Sequence, residues 1–339
     1  MTADAAPRPD TLAPPPAREG ARPEHLVDKL TWRLAIANLV AQIGIIVTGG
    51  AVRLTGSGLG CSEWPLCEPG QFTPVFHEAT SYHPFIEFGN RTLTGVLVVI
   101  AGALLLALYL REPVRSRPKV FRYLAWAVVA GIAIQALVGG FSVWWDLHPA
   151  IVGGHMYISL GLVATSAYLV ARLRQEDGPA AAPTQPLRTL VWATVAVAAV
   201  LSVLGVITTG TGPHSGDENA PYRFALDPVA ITRAHSLSVW VFVALLLACI
   251  FFTLRSTVTW KVWLPTLTVT LLQGVVGYVQ YFNGLPILLV GIHMLLAALF
   301  VAALTFSVTA LHPRVLPSTR SGAHAQGDSA AEPAPLPRP

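Results

Sequence analysis

Apolar residues in this chain come in long blocks rather than alternating with polar ones. Eight blocks run at roughly 34–52, 91–110, 122–142, 151–172, 188–209, 232–254, 261–281 and 287–310. Each is close to the ~20 residues that an α-helix needs to cross the hydrocarbon core of a bilayer. Helices satisfy their backbone polar groups within the segment, so the pattern predicts an all-α polytopic membrane protein with eight transmembrane helices. Composition agrees. Only 12% of residues are charged, against about 25% in soluble domains, which argues against a water-soluble fold.

The blocks are bounded by two tails of different character. Residues 1–30 are rich in Pro, Ala and Arg, and 313–339 in Pro, Ala, Ser and Gly. Neither can bury enough apolar surface to fold alone, so both are expected to be disordered. The first apolar block starts too far in, and is too long, for a cleavable leader. The net charge of +4 reports topology rather than affinity for nucleic acid. Lys29 and Arg33 precede the first block. Arg111, Arg115, Arg117, Lys119 and Arg122 join blocks two and three, and Arg172, Arg174 and Arg188 join four and five. Arg255 and Lys261 join six and seven, and Arg314 and Arg320 follow the last. The positive-inside rule places these loops and both termini in the cytoplasm, for a multi-pass protein of the plasma membrane with lipid as its solvent. The outward stretches 53–90 and 210–231 are too long to be simple turns and are candidates for function.

Cys61 and Cys67 lie on that outer face, in "GSGLGCSEWPLCEPG", with Pro65 between them. On an oxidising face they are expected to form a disulfide; two free thiols are the alternative. Cys249 falls mid-block and reads as a small packing residue.

An internal repeat runs through the helices. Residues 135–156, "QALVGGFSVWWDLHPAIVGGHM", align without a gap on 273–294, "QGVVGYVQYFNGLPILLVGIHM", with eight of 22 positions identical. Gln, His and Met are rare here, so their coincidence weighs more than matching Leu and Val. Upstream, "IEFGNRTLTGVL" (86–97) aligns with "ITRAHSLSVWVF" (231–242) and pairs Asn90 with His235. The expected organisation is therefore two tandem four-helix bundles of the same orientation, 31–175 and 188–312, joined by the Pro/Ala-rich linker 176–187.

The histidines give the repeat a chemical meaning. His155 is expected to begin the fourth helix, His235 the sixth, and His293 to lie one or two turns into the eighth. Cofactors in helix bundles are held by inward side chains of facing helices. His235 and His293 then suit the two axial positions of a haem iron. An isolated histidine near a membrane interface is often just a hydrogen-bonded residue, but ionisable groups inside membrane helices are costly and usually functional. Zinc is less attractive, for no third or fourth ligand accompanies the pair. Arg53, Arg91 and Arg233 lie at outer helix ends, where arginine forks suit haem propionates; interfacial snorkelling is the competing reading. Glycines at 49, 50, 139, 140, 153 and 154 would allow close approach of helices or of a flat macrocycle. The N-terminal half has Asn90 in place of His235, with Glu87 one turn earlier. It offers one strong iron ligand, His155, and a carboxylate. The halves are expected to divide labour, with electron entry in the C-terminal half and reaction in the N-terminal half.

The motifs "GGAVRLTGSGLGCSEWPLC", "IEFGNR", "GGHM", "AHSLSVW" and "GIHM", in this order on eight helices, resemble the haem A synthase family over residues 31–312. The resemblance implies an oxidoreductase that converts the C8 methyl of haem O to a formyl group, by two hydroxylations and loss of water, to make haem A for cytochrome oxidase. It implies a haem b cofactor between His235 and His293, with Arg233 nearby. It implies substrate haem on His155, with Arg53, Arg91 and Asn90 around it and Glu87 as catalytic carboxylate. It also implies a haem O synthase partner and a separate electron donor. Two features depart from the family: Asn90 stands where a histidine is common, and "GTGPHSGDENAPYRFALD" lacks the cysteines some members carry, leaving His214 as a solvated loop residue. Two other classes compete. A bis-His cytochrome carrying electrons from quinol leaves Glu87 without a role. A transporter should show longer polar stretches in its helices.

Overall fold

The computed structural model describes residues 26–76, 81–180, 183–220, 222–254 and 260–314. The tails 1–25 and 315–339, with Arg255 and Arg320, lie outside the described residues. Eight helices follow in order: α1 (Lys29–Leu54), α2 (His83–Leu110), α3 (Val120–Trp144), α4 (Pro149–Leu173), α5 (Gln185–Thr211), α6 (Pro228–Thr253), α7 (Leu264–Phe282) and α8 (Ile287–Ala310). All eight are long and apolar enough to cross a membrane, and the only β pairing among the described residues is two isolated bridges.

Several helix starts are set by polar residues and prolines outside the apolar blocks, so α1 to α6 run longer than their blocks, while α7 starts inside its block and α8 matches it. The Asp28 carboxylate accepts from the backbone N–H groups of Leu30 and Thr31 at 3.1 and 3.2 Å and caps α1. Asp227 accepts from Val229 N–H at 2.9 Å ahead of α6. Such caps contribute about 1 kcal/mol each. Pro84, Pro149 and Pro228 sit in the first turns of α2, α4 and α6, where a missing N–H costs nothing. Two expectations are corrected as a result. His155 and His235 do not begin their helices; each lies nearly two turns inside. The first outer loop ends at Tyr82, so Glu87, Asn90 and Arg91 stand on α2 itself.

Packing joins neighbours in sequence first: α1 with α2, α3 with α4, α5 with α6, and α7 with α8. In the N-terminal half α1 also packs on α4, and α2 on α3, closing the four helices on one another. In the C-terminal half the α5–α6 and α7–α8 pairs touch each other only slightly. The two halves meet through α4–α8, α1–α8 and α4–α5. Small residues set those approaches. A Cβ on Gly50 of α1 would lie 2.9 Å from Sδ of Met294 on α8, and one on Gly153 of α4 would lie 2.7 Å from Val206 of α5. Gly291, the repeat equivalent of Gly153, faces Leu54 of α1. The methionine after His293 therefore packs across the boundary between the halves.

The loops gather on two sides. On one, Arg117 is 7% exposed and donates Nε and Nη2 to the Asp177 carboxylate, both at 2.9 Å. It also donates to the carbonyls of Leu26 and Leu173. Arg111 pairs with Asp28 at 2.7 Å, and Gln175 donates to the Thr309 carbonyl. On the other side, Gly58 N–H donates to the Gly216 carbonyl at 2.7 Å. His214 Nε2 meets the Leu285 carbonyl at 3.0 Å. His214 is thus a tie between the α5–α6 and α7–α8 loops rather than a solvated residue. Cys249 is buried, its sulfur 3.4 Å from the Thr194 hydroxyl.

Candidate functional site

Four side chains stand at the same depth, two turns into the even-numbered helices: Asn90 on α2, His155 on α4, His235 on α6 and His293 on α8. Each lies against a glycine of the preceding helix. A Cβ on Gly49 would be 3.9 Å from Asn90 Nδ2. A Cβ on Gly139 would be 3.7 Å from His155 Cε1, on Gly205 3.0 Å from His235 Cε1, and on Gly277 3.2 Å from His293 Cε1. The repeat read in the sequence is thus a repeat of a physical device, a planar side chain seated over a glycine.

In the C-terminal half the two imidazoles, His235 on α6 and His293 on α8, each stand about two turns from the start of their helix. His235 Nδ1 lies 3.0 Å from the Leu201 carbonyl on α5. A carbonyl only accepts, so Nδ1 carries the proton and Nε2 keeps its lone pair for a metal. His293 Nδ1 is buried and has no hydrogen-bond partner among the described residues. A buried polar atom without a partner costs ~1–3 kcal/mol. Two imidazoles on weakly packed helix pairs, one with its tautomer fixed, fit an iron porphyrin. Arg233, two residues before His235, is exposed and makes no hydrogen bond or ion pair among the described residues.

The N-terminal half is built differently. His155 Nδ1 is also buried without a partner, while the His155 carbonyl accepts from Gln135 Nε2 at 2.9 Å. Glu87 is 6% exposed. Its Oε2 accepts from the backbone N–H of Cys61 at 2.8 Å, and its Oε1 from Arg91 Nε and Nη2 at 3.1 and 2.5 Å. Arg91 Nη1 in turn donates to the carbonyls of Glu63 and Leu66, both at 2.9 Å. Those carbonyls lie inside the loop closed by the Cys61–Cys67 disulfide. The ring of that loop, the arginine and the carboxylate form one unit, and Trp64 seats the unit on α3 by packing against Gly140. Most of Arg91's donors are therefore committed to Glu87 and the loop. Arg53 is committed too, donating to the carbonyls of His214 and Thr209 at 2.8 and 3.0 Å.

Residues 32–213 match the family described as cytochrome oxidase assembly protein, COX15-CtaA. The match covers more than half of the chain. The chain belongs to this family. A protein named heme A synthase from Exiguobacterium sibiricum is 28% identical over 200 residues, 58% of this chain and 63% of that protein. Proteins of the same name from Listeria monocytogenes and Bacillus cereus are 26% identical over 291 residues and 25% over 296. These two matches cover 80% and 82% of this chain and 92% of each relative. The chain spans less than two thirds of the length of the Exiguobacterium relative and most of the other two.

Within this COX15-CtaA chain, several residues around the site had gone unassigned. Thr48 donates its hydroxyl to Asn90 Oδ1 at 2.8 Å, and Ser57 Oγ meets His83 Nδ1 at 2.9 Å below Glu87. Gln135 was visible as a repeated residue without a role. Gly277 could have been found as the repeat equivalent of Gly139. Gly205 carries no comparable signal.

Proposed function

We propose that this chain is a haem A synthase, an oxidoreductase that converts the C8 methyl of haem O to the formyl group of haem A. The observation that carries the reading is the fixed carboxylate: Glu87 is held in the bundle by the disulfide-closed loop, in the same half as the unpartnered His155. In the last step of that conversion a geminal diol loses water to become the formyl group, which needs a proton moved from one hydroxyl to the other, and a positioned carboxylate can carry it. Arg91 and the Cys61 N–H keep that carboxylate in one orientation, so no reorganisation is needed when the proton arrives. Trp64 and the loop cover the outer end and exclude bulk water. His155 is the residue proposed to hold the substrate haem.

In the C-terminal half His235 and His293 are proposed to hold haem b. That group, when bound, supplies one-electron transfer. His235 presents Nε2 through its bond to Leu201, and Arg233 offers its free fork to a propionate. Electrons from a separate donor would enter here, haem O would arrive from a haem O synthase, and both termini would lie in the cytoplasm at the cell membrane. The two halves, 31–175 for substrate and 188–312 for haem b, would divide the work.

The test is to express the chain with a haem O-producing enzyme and to separate the extracted haems by chromatography and mass. Haem A, or its alcohol precursor, present only with this chain supports the reading. Unmodified haem O in the presence of a competent donor, with haem b still bound to the purified protein, overturns it.

A further inference from the structure

At the depth where α6 presents an imidazole, α2 presents the amide of Asn90, and its hydrogen bonding decides what it can do. Thr48 Oγ1 lies 2.8 Å from Asn90 Oδ1, a contact it shares with the Ile45 carbonyl at 3.3 Å. With Oδ1 held by Thr48, the donors left to the amide are the N–H groups of Nδ2, which make no hydrogen bond among the described residues. An amide nitrogen has no basic lone pair, and its two hydrogens make it a donor. Haem iron is held by His, Cys, Met or Tyr, not by a carboxamide.

No other described histidine stands at this depth: His83 opens α2, His148 precedes α4, His214 follows α5 and His312 follows α8. His155, by contrast, stands at the corresponding depth on α4 with its Nδ1 buried and unpartnered. We infer that the haem of the N-terminal half has His155 as its single axial ligand, and that Asn90 is a hydrogen-bond donor facing the open coordination position. The inference rests on the proposed haem site in that half and deepens it. It also gives the two halves different chemistry from one repeated position: two imidazoles close the iron of haem b, whereas one imidazole and one amide leave the other iron open.

The test uses the full-length protein, loaded with haem b as a surrogate for haem O, and carbon monoxide as the probe. Wild type is expected to show a low-spin haem that ignores carbon monoxide and a high-spin haem that binds it. Asn90→His should convert the second haem to low spin and abolish carbon monoxide binding. Asn90→Ala should keep the binding but raise the C–O stretching frequency, because a hydrogen bond to the bound molecule is gone. His155→Ala should remove the reactive haem and leave the low-spin one. A wild type without a carbon monoxide-binding haem, in which Asn90→Ala creates one, overturns single ligation while leaving the haem site intact. An unchanged C–O frequency in Asn90→Ala overturns the donor role. Unchanged haem content and carbon monoxide binding in His155→Ala would instead remove the haem site itself, which is a separate failure.

Discussion

The first four helices of this chain, α1–α4, and the last four, α5–α8, differ in packing and in the side chains they present. The N-terminal four helices close on one another and are covered by a loop that a disulfide shortens. The C-terminal four remain two pairs, α5–α6 and α7–α8, with little contact between them. At the shared depth, one unit presents an amide and an imidazole, and the other two imidazoles. Among the described residues, Glu87 is the helix carboxylate that accepts from the disulfide-closed loop. The halves share one geometry, a planar side chain over a glycine, and differ in the residue at one such position and in the loop beside it. The frame is common property; the chemistry lies in a few side chains that the frame supports.

The largest test of this division is Glu87→Gln. Conversion of haem O should fall by roughly two to four orders of magnitude, the range associated with a positioned acid or base. The low-spin haem spectrum should not change, since the hydrogen-bond partners of Glu87 among the described residues, Cys61 and Arg91, lie in the N-terminal half. Haem extraction measures the first and optical spectroscopy the second. Retained turnover would leave the N-terminal half without its distinguishing role. Next comes His293→Ala, expected to remove the low-spin haem signal outright while the carbon monoxide-binding haem persists. Loss of both signals at once would mean that the halves do not bind independently.

These contrasts were only partly visible in the amino-acid order. The spans were legible because ~20 uncharged residues in a row have few alternatives. The pairing of Cys61 with Cys67 was legible because they are neighbours on one loop. Helix starts were not, since Asp28, Asp227 and the three prolines sit beyond the apolar blocks that define the spans. The pairing of Arg91 with Glu87 was open to reading from their i, i+4 spacing, but its two loop carbonyls, and the two carbonyls that Arg53 meets, leave no trace in side-chain identity. Glycines were noted as permitting close approach, but which ring each one admits depends on the neighbouring helix, and only the repeat hinted at Gly277.

A smaller effect separates covering from catalysis. Replacing both Cys61 and Cys67 with serine removes the constraint on a short loop, worth about 2 kcal/mol in the chain-entropy picture. The thermal unfolding midpoint should drop, and turnover should fall with it, because Arg91 loses the fixed carbonyls of Glu63 and Leu66. The C-terminal haem spectrum should stay as it was. A stability loss without a loss of turnover would show that the loop closes the bundle but does not position Glu87.

The smallest predicted effects come from the glycines themselves, and their order is the informative part. Alanine at a helix-interior glycine gains about 1 kcal/mol of helix propensity, so a substitution is harmful only where the added Cβ has no room. At Gly139 the new methyl would lie 3.7 Å from the His155 ring, an ordinary contact. Gly139→Ala should be neutral or slightly stabilising and should leave the carbon monoxide-binding haem in place. At Gly277 the distance is 3.2 Å and at Gly205 it is 3.0 Å, so the rings of His293 and His235 must shift by a few tenths of an ångström. Iron ligation does not tolerate such shifts without changing bond length or tilt. Haem b retention, followed by competition with apomyoglobin, should therefore decline from Gly139→Ala through Gly277→Ala to Gly205→Ala, the last also disturbing the bond from His235 to Leu201. Equal retention in all three would mean that the glycines serve helix packing alone and that the ring positions are set by something else.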